Sequence, residues 1–320
     1  LALQIADQVA RALNAAQQHG LVHRDIKPAN LMLVREDDEL VVKVIDFGLA
    51  KTAVPGSGED IVTMSMGGFV GTPHFASPEQ LEEREIDVRS DIYSLGVTLW
   101  YMLAGHAPFG GSLAQVMSQH LSKPPPIEKL HGLPETVTAL LSRTLEKDPG
   151  RRPQTPAELR QEIEKVIASL HSAGAANAKI VADEQEEFAT IVASHSPVEH
   201  TGGTHFEPGK TLAGRYQIIA NLGETNSGRI FQAEDLAAER EVRLIVLHRD
   251  QTEDSTTYTQ LEREVDKLTR VQHPNLLHVY GLETADTASF LVVEWTEGFS
   301  LLELLRARRE LEADELLKLL

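Results

Sequence analysis

The hydrophobic periodicity of the chain changes once, and this change constrains the fold more than any other feature of the sequence. In the first half, apolar residues recur at helical spacing, as in Ile5, Val9 and Leu13. After Tyr216 they form short runs typical of strands, such as YQIIANL and VRLIVLH, which one helix pattern over residues 257–271 interrupts. The sequence therefore predicts an α+β chain in which a mostly helical part precedes an antiparallel sheet with one helix.

Residues 172–210 separate these two parts. Their composition shifts to Ala, Gly, Ser, Thr and His with the acidic run DEQEE, which is typical of a linker. We therefore divide the 320 residues into a helical part (residues 1–171), a linker (172–210) and a sheet part (211–320). Two domains also fit a chain of this length, at roughly 150 residues per domain.

The overall charge and composition limit the partners of the chain. It has 30 basic and 48 acidic residues, a formal net charge of −18 that repels the phosphates of nucleic acids. The absence of cysteine excludes disulfides and thiolate chemistry and fits a cytoplasmic location. The longest apolar stretch, residues 92–104, is too short to span a bilayer. We expect no nucleic acid partner and no membrane segment here, although a longer parent protein is expected and its attachment to a membrane elsewhere stays open.

Residues 23–30 (HRDIKPAN) and 46–48 (DFG) contain the densest set of chemically active side chains. The segment between them predicts a β-hairpin, because two short β-rich runs surround an acidic turn. Since a hairpin returns to its starting point, Asn30 at its entry and Asp46 at its exit are predicted to lie side by side. Their oxygens suit Mg²⁺, and Asp25 lies one loop away, where a carboxylate can accept a proton from an attacking hydroxyl.

These residues resemble the catalytic and magnesium-binding loops of the eukaryotic-type protein kinases, in particular the bacterial-like serine/threonine branch. The motifs that carry the resemblance are HRDxKxxN, DFG after a hairpin-length gap, and residues 71–79 (GTPHFASPE). The resemblance implies a carboxy-terminal kinase lobe over residues 1–171, which uses ATP and Mg²⁺ to phosphorylate Ser or Thr of protein substrates. It implies these roles: Asp25 as base, Lys27 on the transferring phosphoryl group, Asn30 and Asp46 on Mg²⁺, and Met32 under the adenine.

Three further charged residues extend the resemblance. Asp91 opens a helix pattern that is apolar nearly all round, so its carboxylate is predicted to be buried and to need partners. In the family this residue holds the backbone of the catalytic loop. Glu79 and Arg152 match the buried ion pair with which the family anchors the end of its activation segment.

Arg24, the residue before the expected base, is the family feature that accompanies activation by phosphorylation of the activation loop. Thr63 and Ser65 are the nearest candidate sites. The usual hydroxyl positions, counted back from Gly71, fall on methionines, so an unmodified solvated loop is an equal alternative.

Residues 211–320 resemble the amino-terminal sheet lobe of a second kinase domain. Its glycine-rich loop reads LGETNSGRI over residues 222–230, with Thr225 in the place of the middle glycine. The strand that supplies a phosphate-pairing lysine in the family has Ile245 at that position, whereas Glu264 stands where the family has the glutamate that pairs with it. These losses predict a pseudokinase-like lobe that binds ATP weakly or not at all.

The helical lobe thus precedes the sheet lobe, the reverse of the order in one kinase domain. A circular permutation would produce this order, but residues 1–4 and 315–318 both match the start of the same family helix. The overlap favours two tandem domains, each cut, with permutation or mutual docking as alternatives. We therefore expect a piece of a longer kinase that is inactive by itself, and the rival hypothesis is a non-catalytic kinase-fold scaffold that binds protein partners.

Overall fold

The fold is described here from a computed structural model, which covers residues 1–37, 39–47, 73–175, 206–225, 228–248, 255–285 and 288–309. Its helices are α1 (Ala2–Gln18), α2 (Pro78–Leu81), α3 (Val88–Ala104), α4 (Leu113–Ser122), α5 (Glu135–Thr144), α6 (Pro156–Ala175), α7 (Ser255–Thr269) and α8 (Leu301–Arg309). Its strands are β1 (Leu31–Glu36), β2 (Glu39–Val44), β3 (Thr211–Leu212), β4 (Tyr216–Thr225), β5 (Gly228–Asp235), β6 (Arg240–Leu247), β7 (Val279–Ala285), β8 (Ala288–Glu294) and β9 (Phe299–Ser300). The predicted α+β class is confirmed.

The helical part is built around α3, whose residues are buried nearly all round, as its apolar sequence requires. Helix α1 buries one apolar stripe against it, and Gly20, in the left-handed conformation with φ of 67°, follows the last turn of α1. Gly96 lets α3 approach α5 closely, because a Cβ atom at Gly96 would lie 2.6 Å from the Oγ1 atom of Thr144.

The hairpin predicted between the two motifs is confirmed. Strands β1 and β2 pair antiparallel from Leu31 opposite Val44 to Glu36 opposite Glu39. The backbone N–H of Ile45 donates to the carbonyl of Asn30 at 3.0 Å, so the hairpin's entry and exit lie side by side. This geometry brings the main chain that carries Asn30 next to the main chain that carries Asp46.

The sheet part forms a six-stranded antiparallel sheet in the order β3-β4-β5-β6-β8-β7. Strand β6 shows the alternation that its sequence predicts. Val242, Leu244 and Val246 belong to the apolar core on one side of the sheet, whereas Ile245 and Leu247 belong to the core on the other side, with the apolar face of α7. The second of these cores continues without interruption into the helical part.

The two parts are joined along the hairpin. Strand β9 pairs antiparallel with β1, with Phe299 opposite Leu33. The N–H of Val44 donates to the carbonyl of Asn275 at 2.9 Å, and the Asn275 side chain donates to the carbonyl of Val42 at 2.9 Å. The hairpin of the helical part therefore lies between β9 and the loop that precedes β7.

This joint departs from our expectation of two separate halves and corresponds to the docking alternative. The physical reason is that β1 pairs with β2 along one edge only, and its other edge accepts β9. An ion pair between Lys43 and Glu294, 3.0 Å long, spans the same boundary. The helix overlap that favoured two tandem domains involves residues 315–318, which lie outside the described residues.

The boundaries of the predicted linker shift at both ends. Helix α6 continues to Ala175, and the sheet part begins by Phe206, whose ring stacks on Phe231 with centroids 5.4 Å apart. Residues 176–205 lie outside the described residues. In the parts of the chain that the structure describes, no helix is both long and apolar enough to cross a membrane.

Candidate active site

Asp25 is the centre of a compact polar cluster in the loop before β1. The Nζ atom of Lys27 lies 2.8 Å from Asp25 Oδ2, and Asn30 Nδ2 donates to the same oxygen at 2.8 Å and to the Asp25 carbonyl at 2.9 Å. Because both partners donate to the carboxylate, they fix its orientation. The structure thus brings together three of the five residues that the sequence singled out.

Asp91 holds the main chain of this loop, as the resemblance implied. Its side chain is buried at the start of α3 and accepts the backbone N–H groups of His23 and Arg24, both at 2.7 Å. Two charge-assisted hydrogen bonds from neighbouring N–H groups fix the course of the chain immediately before Asp25. This expectation is confirmed.

Two residues of the site adopt the left-handed backbone conformation, which is rare for side chains with a Cβ atom. Arg24 has φ of 67° and Asp46 has φ of 54°. The surroundings maintain both: Gln80 donates to the Arg24 carbonyl at 2.8 Å, and the His23 ring packs on Phe47 at 4.6 Å between centroids. Strained backbone of this kind is concentrated at functional sites, where the surrounding structure compensates for it.

Asp46 lies in an electrostatic environment that suits a cation. Burial raises the pKa of Asp46; the positive charges of Arg243 and Lys27 oppose this shift, and the Asp25 carboxylate adds to it. A divalent cation would relieve the repulsion between the two acids. Asn30 donates to Asp25 through Nδ2, so its Oδ1 atom is the oxygen that it would offer to a cation.

The donor set therefore fits Mg²⁺ on the helical side of the site. Magnesium typically takes one or two protein oxygens and completes its shell with phosphates and water. In the described residues, no group of three or more acidic or histidine side chains is arranged to hold a metal ion.

The Glu79–Arg152 ion pair is also confirmed. The two Nη atoms of Arg152 donate to the two carboxylate oxygens of Glu79 at 2.7 and 2.8 Å, and both side chains are buried. Ser90 donates to the same carboxylate at 2.6 Å. Burial by itself raises the pKa of Glu79, but the hydrogen bonds and the charge of Arg152 outweigh it and lower the pKa. The pair ties α2 to the turn before α6.

In the sheet part, the two positions of the family's lysine and glutamate, Ile245 and Glu264, do not contact each other as a pair. Ile245 is buried in the apolar core that includes Leu261 and Val265 of α7. Glu264 pairs instead with Lys267 of its own helix at 2.8 Å. The lysine–glutamate pair of the family is thus replaced by apolar packing at one position and a local surface contact at the other.

Arg243 is the residue of this region that sequence analysis missed. Its Nη1 atom lies 3.5 Å from the sulfur of Met32, the residue that the resemblance placed under the adenine. Its guanidinium carbon lies 5.7 Å from the centre of the Trp295 ring. The signal was present in the sequence, since one arginine interrupts the otherwise apolar run VRLIVL.

Several predicted residues lie outside the described residues. These are Gly48 of the DFG motif, Thr72, and the candidate modification sites Thr63 and Ser65. The modification of the activation loop therefore stays a prediction.

Two family models match the chain. The family described as "Protein kinase domain" matches residues 1–163, and the family described as "Protein tyrosine and serine/threonine kinase" matches residues 216–320. The two matches fall separately on the helical part and on the sheet part.

Curated relatives match about half of the chain. Serine/threonine-protein kinase PknB of Mycobacterium tuberculosis is 38% identical over 168 residues, which are 52% of this chain and 26% of the relative. Serine/threonine-protein kinase pkn2 of Myxococcus xanthus is 36% identical over 177 residues, 54% of this chain and 21% of the relative. The chain thus spans about a quarter of the length of these relatives.

Among solved structures, the kinase domain of PknI from Mycobacterium tuberculosis is similar at 25% sequence identity with a TM-score of 0.38. The match covers 51% of this chain and 54% of that one.

Proposed function

Because the chain belongs to the protein kinase family, we propose that its helical part is the catalytic lobe of a serine/threonine protein kinase, which transfers the γ-phosphoryl group of ATP to Ser or Thr hydroxyls of protein substrates. The observation that carries this proposal is the polar cluster of Lys27, Asp25 and Asn30, whose loop is anchored on buried Asp91. Phosphoryl transfer depends mostly on such held geometry and charge.

Each residue of the cluster has a role that its contacts support. Asp25 accepts the proton of the attacking hydroxyl, because Lys27 and Asn30 hold its carboxylate in one orientation. Lys27 provides a positive charge beside the transferring phosphoryl group. Asn30 and Asp46 would hold Mg²⁺, which neutralises phosphate charge when bound. Met32 would form the apolar floor under adenine in an intact cleft.

The sheet part, in this proposal, is a degenerate lobe that does not hold ATP. Its glycine-rich loop carries Thr225, and its phosphate-pairing position is Ile245, a buried core residue. A contact between lysine and phosphate contributes roughly 1.5–3 kcal/mol, which this lobe forfeits. This observation also favours a second candidate function for the sheet part, a non-catalytic kinase-fold scaffold.

The experiment is an assay of Asp25→Asn in a protein where the helical part is joined to a sheet lobe with a phosphate-pairing lysine. We expect the incorporation of labelled phosphate into protein Ser or Thr to fall by at least about 1000-fold, with the fold unchanged in circular dichroism, because Asp25 lies in a loop. Equal incorporation in both proteins would exclude Asp25 from the mechanism.

The 320-residue chain itself is expected to be inactive, since its sheet part lacks the phosphate-binding residues. The measurement is phosphate incorporation with magnesium, ATP and a generic protein substrate, beside an Asp46→Ala control. Phosphorylation that disappears in the control would show that the helical and sheet parts form a working cleft after all.

A further inference from the structure

We propose that Arg243 fills the space of the adenine ring in the cleft between the helical part and the sheet part, and thereby excludes nucleotides from it. The proposal deepens the proposed function of the sheet part as a degenerate lobe. In this proposal, nucleotides are excluded by a residue that blocks the cleft, in addition to the loss of the phosphate-pairing lysine and the middle glycine.

The alternation of β6 determines where Arg243 points. Val242 and Leu244 belong to the apolar core on one side of the sheet, so Arg243 between them faces the other side, as Ile245 does. That side of the sheet packs against the helical part. A long charged side chain on this strand therefore enters the boundary between the two parts instead of the solvent.

Arg243 contacts Met32, the residue that the resemblance places under the adenine ring, and lies near the ring of Trp295. Met32 lies on β1 in the helical part, and its sulfur is 3.5 Å from the Arg243 Nη1 atom. Trp295 lies in the hinge, the segment of residues 295–298 between β8 and β9, and its ring is 5.7 Å from the guanidinium carbon of Arg243. A planar guanidinium on Met32 and a purine ring on Met32 exclude each other, because both require the same face of this residue.

The negative charge of Asp46 offsets part of the cost of burying the Arg243 guanidinium in the cleft. Burial lowers the pKa of Arg243, and the negative charge of Asp46 opposes this shift. The cation thus provides a positive charge near Asp46, where the proposed kinase mechanism requires Mg²⁺. A nucleotide that enters the cleft must displace Arg243 from Met32 and separate it from Asp46.

The Nε atom of Arg243 argues against a purely structural role for this residue. The Nε atom of Arg243 is buried, and within the described residues it has no hydrogen-bond partner. An unsatisfied buried donor costs about 1–3 kcal/mol, so an arginine retained only for packing would be a poor choice at this position. Methionine would fill the same volume without that cost.

The test compares small and large uncharged replacements in the full 320-residue chain. The probe is adenosine, which contains the ring but no phosphate, and binding is measured by isothermal titration calorimetry. We expect Arg243→Ala to bind adenosine at least tenfold more tightly than the wild type. Arg243→Met, which removes the charge and keeps the volume, is expected to bind as weakly as the wild type.

Ile245→Lys serves as a second control, since it restores a phosphate-pairing charge but leaves Arg243 in the space of the adenine ring. We expect this variant to gain no adenosine binding and no MgATP binding, whereas the double variant with Arg243→Ala gains MgATP binding. Thermal unfolding of each variant establishes that it is folded. Arg243→Ser provides a second small side chain if the alanine variant does not fold.

Wild-type binding of adenosine as tight as that of the small variants would overturn the proposal. So would a folded Arg243→Ala or Arg243→Ser variant that does not bind adenosine. These outcomes are separate from the proposed kinase activity, because adenosine carries no phosphate and the binding assay involves neither Asp25 nor a transfer step.

Discussion

The helical part keeps the charged side chains that its family uses, whereas the sheet part keeps mainly the apolar pattern of its strands. In the helical part, the charged residues singled out by the sequence have partners at hydrogen-bond distance, as Asp25, Asp91 and Glu79 show. In the sheet part, β5 and β6 pair in a regular register and β6 keeps its apolar alternation, but Ile245 and Arg243 occupy the face of β6 that is turned toward the helical part. A strand needs only its apolar pattern in order to form, whereas the chemistry needs a few polar side chains that the strand does not require.

The largest effect that we predict concerns the best-buried charge pair of the helical part. Glu79→Gln is expected to lower the free energy of unfolding by about 3–5 kcal/mol, because it leaves the buried guanidinium of Arg152 without its counter-charge. Urea unfolding at neutral pH measures the loss. The matched change in the sheet part is Arg270→Gln, which removes the partner of Asp266 in a pair whose two side chains are both exposed.

We expect Arg270→Gln to cost less than about 1 kcal/mol, because solvent screens both charges of the pair. Equal costs for the two variants would contradict the view that charge pairing distinguishes the helical part from the sheet part. A loss below about 1 kcal/mol for Glu79→Gln would also contradict the buried pair itself.

An intermediate effect tests the joint between the two parts. A Cβ atom at Gly298 would lie 2.5 Å from the carbonyl oxygen of Leu33 on β1. Gly298→Ala is therefore expected to force the hinge away from β1 and to reduce stability by about 1–3 kcal/mol. The urea midpoint, followed by the fluorescence of Trp295, is the measurement.

Gly281→Ala in β7 is the control for this experiment, because a Cβ atom there meets nothing within 4 Å. We expect it to leave the midpoint nearly unchanged. If Gly298→Ala behaves like this control, the hinge does not pack on β1 in solution, and the two parts are as separate as the sequence led us to expect.

The sequence predicted what depends on local pattern and on dense motifs. The β1–β2 hairpin followed from two apolar runs around an acidic turn, and the burial of Asp91 followed from the apolar helix around it. The joint was not predictable in this way, because the pairing of Phe299 with Leu33 depends on the fit of two strand edges that are distant in sequence. Arg243 was missed because its significance comes from Met32, on the other side of the cleft.

The smallest effect that we predict is a loss of stability of the helical part at acid pH, which depends on one residue, His120. His120 is fully buried; its Nδ1 atom lies 2.9 Å from the hydroxyl of Tyr93, and its Nε2 atom lies 3.1 Å from the carbonyl of His74. Since a carbonyl only accepts, Nε2 donates to it and Nδ1 accepts from Tyr93 in the neutral ring. Burial, together with the positive charge of Lys147, lowers the pKa of His120 to about 3.

The sign of the pH dependence follows from this shift. Between pH 6.5, the ordinary pKa of histidine, and about pH 3, His120 binds a proton in the unfolded state but not in the folded state. The free energy of unfolding therefore falls as the pH falls through this window. We expect a slope of about 1 kcal/mol per pH unit near pH 5, where few carboxylates titrate. His120→Gln is expected to reduce this slope, and His131→Gln, at an exposed position, is the control. Trp100, buried in α3, reports the transition of the helical part. An unchanged slope in His120→Gln would mean that the buried ring accepts its proton as easily as a solvated one.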